Sequence, residues 1–303
     1  MCTAFGTSVL FFPALRFSRR VRVVVLVCLW GLLAITLLMI PEGGRIARFL
    51  AALYAGTLAL KMWDLHVGAE RSVRPSWIEF FGFMANLFSL VHRRTGSEPR
   101  PTSSQDGAKL LKSVAVGWLG LFALDVLLRL DWSSTPFLVE HGVKATAFFF
   151  GATAFFSAAA AAVRLLGAYA PEPMDHPLTA RSPADFWRRY NRWIGESLRE
   201  DIFRLVGGRR RPVLATLVVF LVSGALHEYV FSVAVGGVQG YQLAFFSLQG
   251  IAVAATLRWR PGRIVGIGAT FTINALTSVL FFASFQGLAP FYEDGPPTWL
   301  WGV

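Results

Sequence analysis

The chain has 303 residues, of which 54% are hydrophobic and only 16% charged, and its formal net charge is +11. Soluble domains carry about 25% charged residues, so an ordinary soluble globule, with no place to hide this much apolar surface, is excluded. A nucleic-acid partner is excluded as well, because the basic residues fall between apolar blocks and no RNA- or DNA-binding signature accompanies them.

In chain order, residues 1–20 read as a short arm leading into the basic group Arg16, Arg19, Arg20 and Arg22. Cys2 and Cys28 suggest neither a disulfide framework nor a metal site. The first apolar block is too long for a signal-peptide core and has no small-residue cleavage site, so it reads as a retained anchor. Seven spans can be drawn, at about 21–40, 46–65, 110–130, 141–166, 212–235, 240–257 and 264–287, each near the ~20 residues needed to cross a bilayer. Residues 77–91 are apolar but short, which suits an interfacial or re-entrant segment. Residues 94–107, rich in Pro, Ser and Gly, read as a loop.

Charge parity supports this drawing. With the N-terminus in the cytoplasm, the inside segments 1–22, 66–109, 167–211 and 258–263 hold 22 of the 29 Lys and Arg residues, and the outside segments 131–140, 236–239 and 288–303 hold none. That is the positive-inside pattern, and it leaves the C-terminus outside. The fold class is therefore all-α: a polytopic transmembrane helical protein of about seven or eight spans, one membrane-embedded domain over 1–303. No internal repeat is visible, which counts against an inverted-repeat transporter.

Two polar exceptions stand out. Residues 182–206 read as an amphipathic cytoplasmic helix, with Ser182 as N-cap, Pro183 at the first helical position and Asp185 where a capping-box acid belongs. Trp187, Ile194, Leu198, Ile202 and Leu205 form an apolar stripe, and Asn191 interrupts it among Arg188, Arg189 and Arg192. An amide there needs a partner or a ligand. The alternative is a membrane-surface helix with snorkelling arginines.

The second exception is His227, with Glu228, deep inside the span 212–235. Ionisable groups at that depth are expensive and usually face a cavity or pathway. Ser223 and Gly224 lie one turn earlier on the histidine's face, where a glycine would leave room for a ligand beside the imidazole. The bland alternative is a histidine that joins two helices by one hydrogen bond. Glu228 points about 100° away around the helix and suits a structural pairing with another helix. In the last span Asn274, Thr277 and Ser278 share a face and either line a polar tunnel or bond helices together. Asp125 and Arg129 read as a local ion pair. His66, His92, His141 and His176 lie at span ends or in loops and carry no assigned role.

Together these exceptions resemble the membrane-bound O-acyltransferase family, in its wax synthase-like branch. The run Asp185-Phe186-Trp187-Arg188-Arg189-Tyr190-Asn191 is similar to that branch's D-F-W-x-R-x-W-N pattern, with Tyr190 in place of the second Trp and the spacing one residue shorter than in many plant members. Ser223-Gly224-Ala225-Leu226-His227-Glu228 looks like its S-G-x-x-H-E segment. The match is best over 180–232, and a fainter likeness runs through Pro75-Ser76-Trp77 and His92-Arg93-Arg94.

The resemblance implies an intramembrane tunnel and transfer of an acyl group from acyl-CoA to a hydroxyl. The acceptor would be a long-chain or related lipid alcohol. His227 and Asn191 take the catalytic positions. Trp187, Arg188, Arg189, Arg192, Ser223, Glu228 and Asn274 are candidates for contact with substrate or CoA. No cofactor or metal is expected beyond acyl-CoA as co-substrate. The membrane would be the plasma membrane in a bacterium and the endoplasmic reticulum in a eukaryote. The rival expectations are O-acylation of a sugar or glycolipid and, in another class, a proton-coupled transporter that uses His227 and Glu228 as a relay.

Overall fold

The computed structural model describes residues 1–41, 43–92 and 102–293. Among them the secondary structure is entirely helical. Six helices are long and apolar enough to cross a membrane: α3 (Arg19–Leu38), α4 (Arg45–Glu70), α6 (Ser103–Leu128), α7 (Phe137–Leu165), α10 (Pro212–Val235) and α12 (Arg263–Ala283). With no water in the bilayer core, each such segment satisfies its backbone groups within itself, which is why these runs are helical.

The first 14 residues, the greater part of the short arm, are helical. They form α1 (Cys2–Val9) and α2 (Phe11–Ala14), with Phe11 and Ala14 buried against α3 and α4. Phe12 meets Trp77 and Phe80 at ring distances of 4.6 and 5.1 Å. These rings belong to α5 (Trp77–Ala85), which covers the first nine residues of the short apolar segment 77–91 and starts at a reciprocal Ser76–Glu79 capping box. Lys61, wholly buried in α4, ends α5 by donating to the carbonyls of Phe83, Met84 and Asn86. The cation thus takes carbonyls that the helix terminus leaves orphaned.

Of the expected loop 94–107, residues 94–101 lie outside the described set, as do Arg93 and, at the other end, 294–303. Residues 103–107 belong to α6, whose start is fixed by a capping box between Thr102 and Gln105. α6 and α7 form a close hairpin in which a Cβ on Gly120 would sit 2.6 Å from the Gly151 nitrogen, the small-residue packing common between membrane helices. Asp125 and Arg129 form the expected local pair at 2.9 Å.

The expected span 240–257 differs most. It is α11 (Tyr241–Thr256), only 16 residues and about 24 Å long. It runs back along α10, with Gly250 against Phe220 and Gly224 against Leu243 and Phe246. Its start is drawn inward to the level of Glu228, two turns short of the end of α10. The loop 236–240 makes up the difference, turning through Gly236 and Gly240 at φ +84° and +79°. Gly236, Gly237 and Val238 are exposed, and Gln239 and Gly240 are half-buried. α12 then returns, so that Gly287 lies against Val235 and its carbonyl accepts from Arg45 at the start of α4.

Candidate active site

The segment 182–206 is not one helix. Ser182 does cap its start, accepting from the Asp185 N–H at 3.1 Å, with Pro183 at the first position. Asp185 does not bond back to the cap residue. Its carboxylate accepts from the Arg181 N–H and from the guanidinium groups of Arg188 and Arg189. Burial pushes this carboxyl up, but those hydrogen bonds outweigh it and hold it below the ordinary value.

The helix α8 (Pro183–Arg189) ends at Tyr190, which is extended, and Asn191 is left-handed at φ 50°, ψ 52°. The helix α9 (Arg192–Leu198) starts afresh and passes into a π-turn at Arg199–Phe203. The amide that interrupts the apolar stripe therefore marks a break, and asparagine is among the few non-glycine residues that tolerate this conformation. The Asn191 side chain is half-buried and makes no hydrogen bond among the described residues.

α8 is also not a surface helix. Trp187 packs against Phe220 of α10 and Phe246 of α11, at ring distances of 5.3 and 5.8 Å. Its indole N–H donates to Gln249 Oε1 at 2.8 Å, and Gln249 Nε2 donates to Asn274 Oδ1 and Thr277 Oγ1 at 3.0 and 2.8 Å. Tyr190 stacks near Phe149, close to the midpoint of α7. The C-terminal half of α8 thus reaches toward the middle of the bundle. Asn274 and Thr277 serve as helix-joining groups rather than as lining. Ser278 faces elsewhere, toward His141, whose other ring nitrogen bonds Tyr292.

His227 is half-buried on α10, with its ring 4.3 Å from that of Phe246. Its Nδ1 lies 2.8 Å from the Ser223 carbonyl. A carbonyl only accepts, so Nδ1 carries a proton, and in the neutral ring Nε2 keeps its lone pair. Nε2 has no hydrogen-bond partner among the described residues. Ser223 thus orients the imidazole through its backbone.

Two expectations about the neighbours are overturned. Gly224 does not leave room for a ligand: a Cβ there would meet Phe246 Cβ at 3.1 Å and Leu243 Cα at 3.3 Å, so glycine serves the close approach of α10 and α11. Glu228 is not placed to bind substrate. Its carboxylate accepts the N–H groups of Gln239, Gly240, Gln242 and Leu243 at 2.8, 2.6, 3.1 and 3.4 Å, and caps α11 from the neighbouring helix.

Trp187, Arg188, Arg189 and Arg192 come together around a cavity of about 400 Å³, with Asp175, Gly195, Glu196 and Arg199 completing its wall. Neither His227 nor Asn191 lines it. Trp187 is the link, since it forms part of this wall and also touches Phe246, the ring beside His227. Gln249, which the sequence shows only as an amide within an apolar helix, is buried at the centre of the Trp187–Asn274–Thr277 network. Glu196 gives no signal of its own in the sequence.

Long apolar helices, buried polar groups and a positive-inside charge pattern define an integral, multi-pass, all-helical membrane protein. Residues 170–248 match the model of the membrane bound O-acyl transferase family. The chain is also similar to the Acyl-CoA–sterol O-acyltransferase 1 of Arabidopsis thaliana, 29% identical over 152 residues. That alignment covers 44% of this chain and 44% of the relative, so the chain spans under half the length of the curated protein it matches. Both findings support the membrane-bound O-acyltransferase family, and the family match includes the residues from Asn191 to His227.

Proposed function

We propose that this protein is a membrane-bound O-acyltransferase that moves a fatty acyl group from acyl-CoA to the hydroxyl of a lipid alcohol. The acceptor is a long-chain alcohol, as in wax ester synthesis. A sterol is the related choice, which the name of the Arabidopsis relative supports. The observation that carries the reading is the arrangement of His227, whose Nδ1–H is held by the Ser223 carbonyl while Nε2 has no hydrogen-bond partner among the described residues.

An alcohol is a poor nucleophile until a base takes its proton. Nε2 of His227 accepts that proton as the oxygen attacks the thioester carbonyl. The Asn191 amide donates to the oxyanion of the tetrahedral adduct, or orients the thioester. As the adduct collapses the C–S bond breaks, and the imidazolium returns its proton to the CoA thiolate. The arginine-lined cavity takes the CoA phosphates, for which guanidinium forks are suited. The acyl chain leaves water for the apolar bundle at about 0.8 kcal/mol per methylene.

A proton relay through His227 and Glu228 is disfavoured, because both Glu228 oxygens are occupied by backbone donors. Purified protein incubated with labelled acyl-CoA and separate acceptors, a fatty alcohol, a sterol and a glycolipid, tests the proposal. Labelled ester of the fatty alcohol or sterol, abolished by His227→Ala, is the expected result. Ester on the glycolipid alone would move the acceptor class. No ester on any acceptor, or full activity in His227→Ala, would overturn the reading.

A further inference from the structure

The Asn191 amide makes no hydrogen bond among the described residues, so no partner side chain fixes its aim and its backbone limits where it can reach. That backbone is left-handed, a conformation that asparagine tolerates and that its surroundings here also hold. The surroundings here are the short segment 172–175. The Asp175 N–H donates to the Arg189 carbonyl at 2.9 Å, and the Arg192 N–H donates to the Pro173 carbonyl at 2.9 Å. Between them the Asn191 N–H points at Met174 Sδ, 3.5 Å away. Both flanks of the break are thus laced to one strap, which itself ends at a second left-handed residue, His176 at φ 46°.

The strap is fastened at its other end by charge. Glu172 accepts from Lys109 of α6 and from Ser157 Oγ of α7 at 3.2 Å, and Arg164 Nη2 lies 3.5 Å from it. Arg164, buried at the inner end of α7, also pairs with Asp106 at 2.7 Å and donates to the Ala170 carbonyl at 2.9 Å. The Asn86 amide, just past α5, donates to the Tyr169 carbonyl. Three separate parts of the chain therefore hold residues 169–172, and one to three residues further on the same stretch of backbone holds the break at Asn191.

We propose that Glu172 is a positioning residue for the acyl-transfer site: it anchors the strap that keeps Asn191 left-handed and so aims its amide. The proposal rests on the acyltransferase reading for its catalytic consequence. Its structural core, that Glu172 orders the break, does not. Removing the carboxylate frees Lys109 and loosens the strap without touching His227, the cavity arginines or Gln249. Misplacing a catalytic group by about 1 Å can cost on the order of a hundredfold in rate.

The test uses the full-length protein in detergent with the variants Glu172→Ala and Glu172→Gln. Deuterium uptake is followed in peptides covering 187–193 and 220–230, and kcat and KM for acyl-CoA are measured with the best acceptor found. Glu172→Ala is expected to speed uptake in 187–193 and leave 220–230 unchanged. Its kcat should fall by about ten- to a hundredfold with KM changed much less, and Glu172→Gln, which keeps an acceptor for Lys109 and Ser157, should recover part of both. Unchanged uptake in 187–193 overturns the proposal, whatever happens to kcat. Faster uptake in both peptides also overturns it, because Glu172 would then support the whole bundle. If the parent protein transfers no acyl group, the functional reading fails, yet the uptake measurement still decides whether the strap orders Asn191.

Discussion

The Glu228 carboxylate accepts the Gly240 N–H at 2.6 Å, and through three more backbone donors it closes the start of α11. The first N–H groups of any helix lack intrahelical partners, and here a side chain from the adjacent helix supplies them. The same contact fixes the depth of α11, and with it the position of Phe246 beside His227.

Glu228→Ala should therefore destabilise the protein strongly. A buried donor left unpaired costs about 1–3 kcal/mol, and the Gln242 N–H, the most buried of the four, would be left so. Glu228→Gln keeps one accepting oxygen and should cost less. Thermal unfolding of the purified variants in detergent checks the order parent, Gln, Ala. An Ala variant as stable as the parent would show that the loop 236–240 is satisfied in some other way.

At Asn191 two roles can be separated by substitution. Glycine suits the left-handed backbone at φ 50° but lacks the amide. Asn191→Gly should keep the parental melting temperature and lose turnover by about a hundredfold or more, as the loss of an oxyanion donor does. Asn191→Ala should lose turnover and also stability, since a Cβ without the compensating amide is disfavoured there. Acyl transfer and melting temperature measured together decide it, and parental turnover in the Gly variant would reduce Asn191 to a backbone device.

The sequence carried the helices because membrane spans announce themselves by length and composition, and His227 because a lone imidazole amid apolar residues is conspicuous. The break at Asn191 was hidden, since Trp187, Ile194 and Leu198 keep a helical period across it. Only the left-handed tolerance of asparagine hinted at it. Glu228 was legible as structural, but its partners were not, being backbone N–H groups that no residue type advertises. The Arg164–Asp106–Glu172 network joins positions 58 and 8 residues apart, and nothing in a linear pattern pairs them. Gly224 was misread because room for a ligand and room for a neighbouring helix leave the same residue in the sequence.

That ambiguity gives an ordered prediction for glycines. At Gly250 a Cβ would lie 2.7 Å from Phe220 Cβ, at Gly224 3.1 Å from Phe246 Cβ, and at Gly268 it would meet nothing within 4 Å. Gly250→Ala should destabilise most, by about 1–3 kcal/mol as overpacking does. Gly224→Ala should cost less, and Gly268→Ala should be neutral or stabilising by up to about 1 kcal/mol from helix propensity. Melting temperatures that rank in any other order would show that α10 and α11 do not pack through these residues.

The Asp185 cluster makes α8 pH-sensitive in a defined direction. Its carboxyl is held below its ordinary value because the hydrogen bonds from Arg189, the Arg181 N–H and Arg188 outweigh burial. A depressed folded value means that the stabilisation is complete above the ordinary carboxylate range and is lost as the pH falls through the depressed one. Asp185→Asn should therefore loosen α8 at neutral pH and make progressively less difference on acidification. Deuterium uptake in 182–190, corrected for the intrinsic pH dependence of exchange, provides the measure. A difference between Asn variant and parent that stays constant from neutral to strongly acidic pH would mean that the aspartate's charge does not hold the helix start, leaving the Ser182 cap to do so alone.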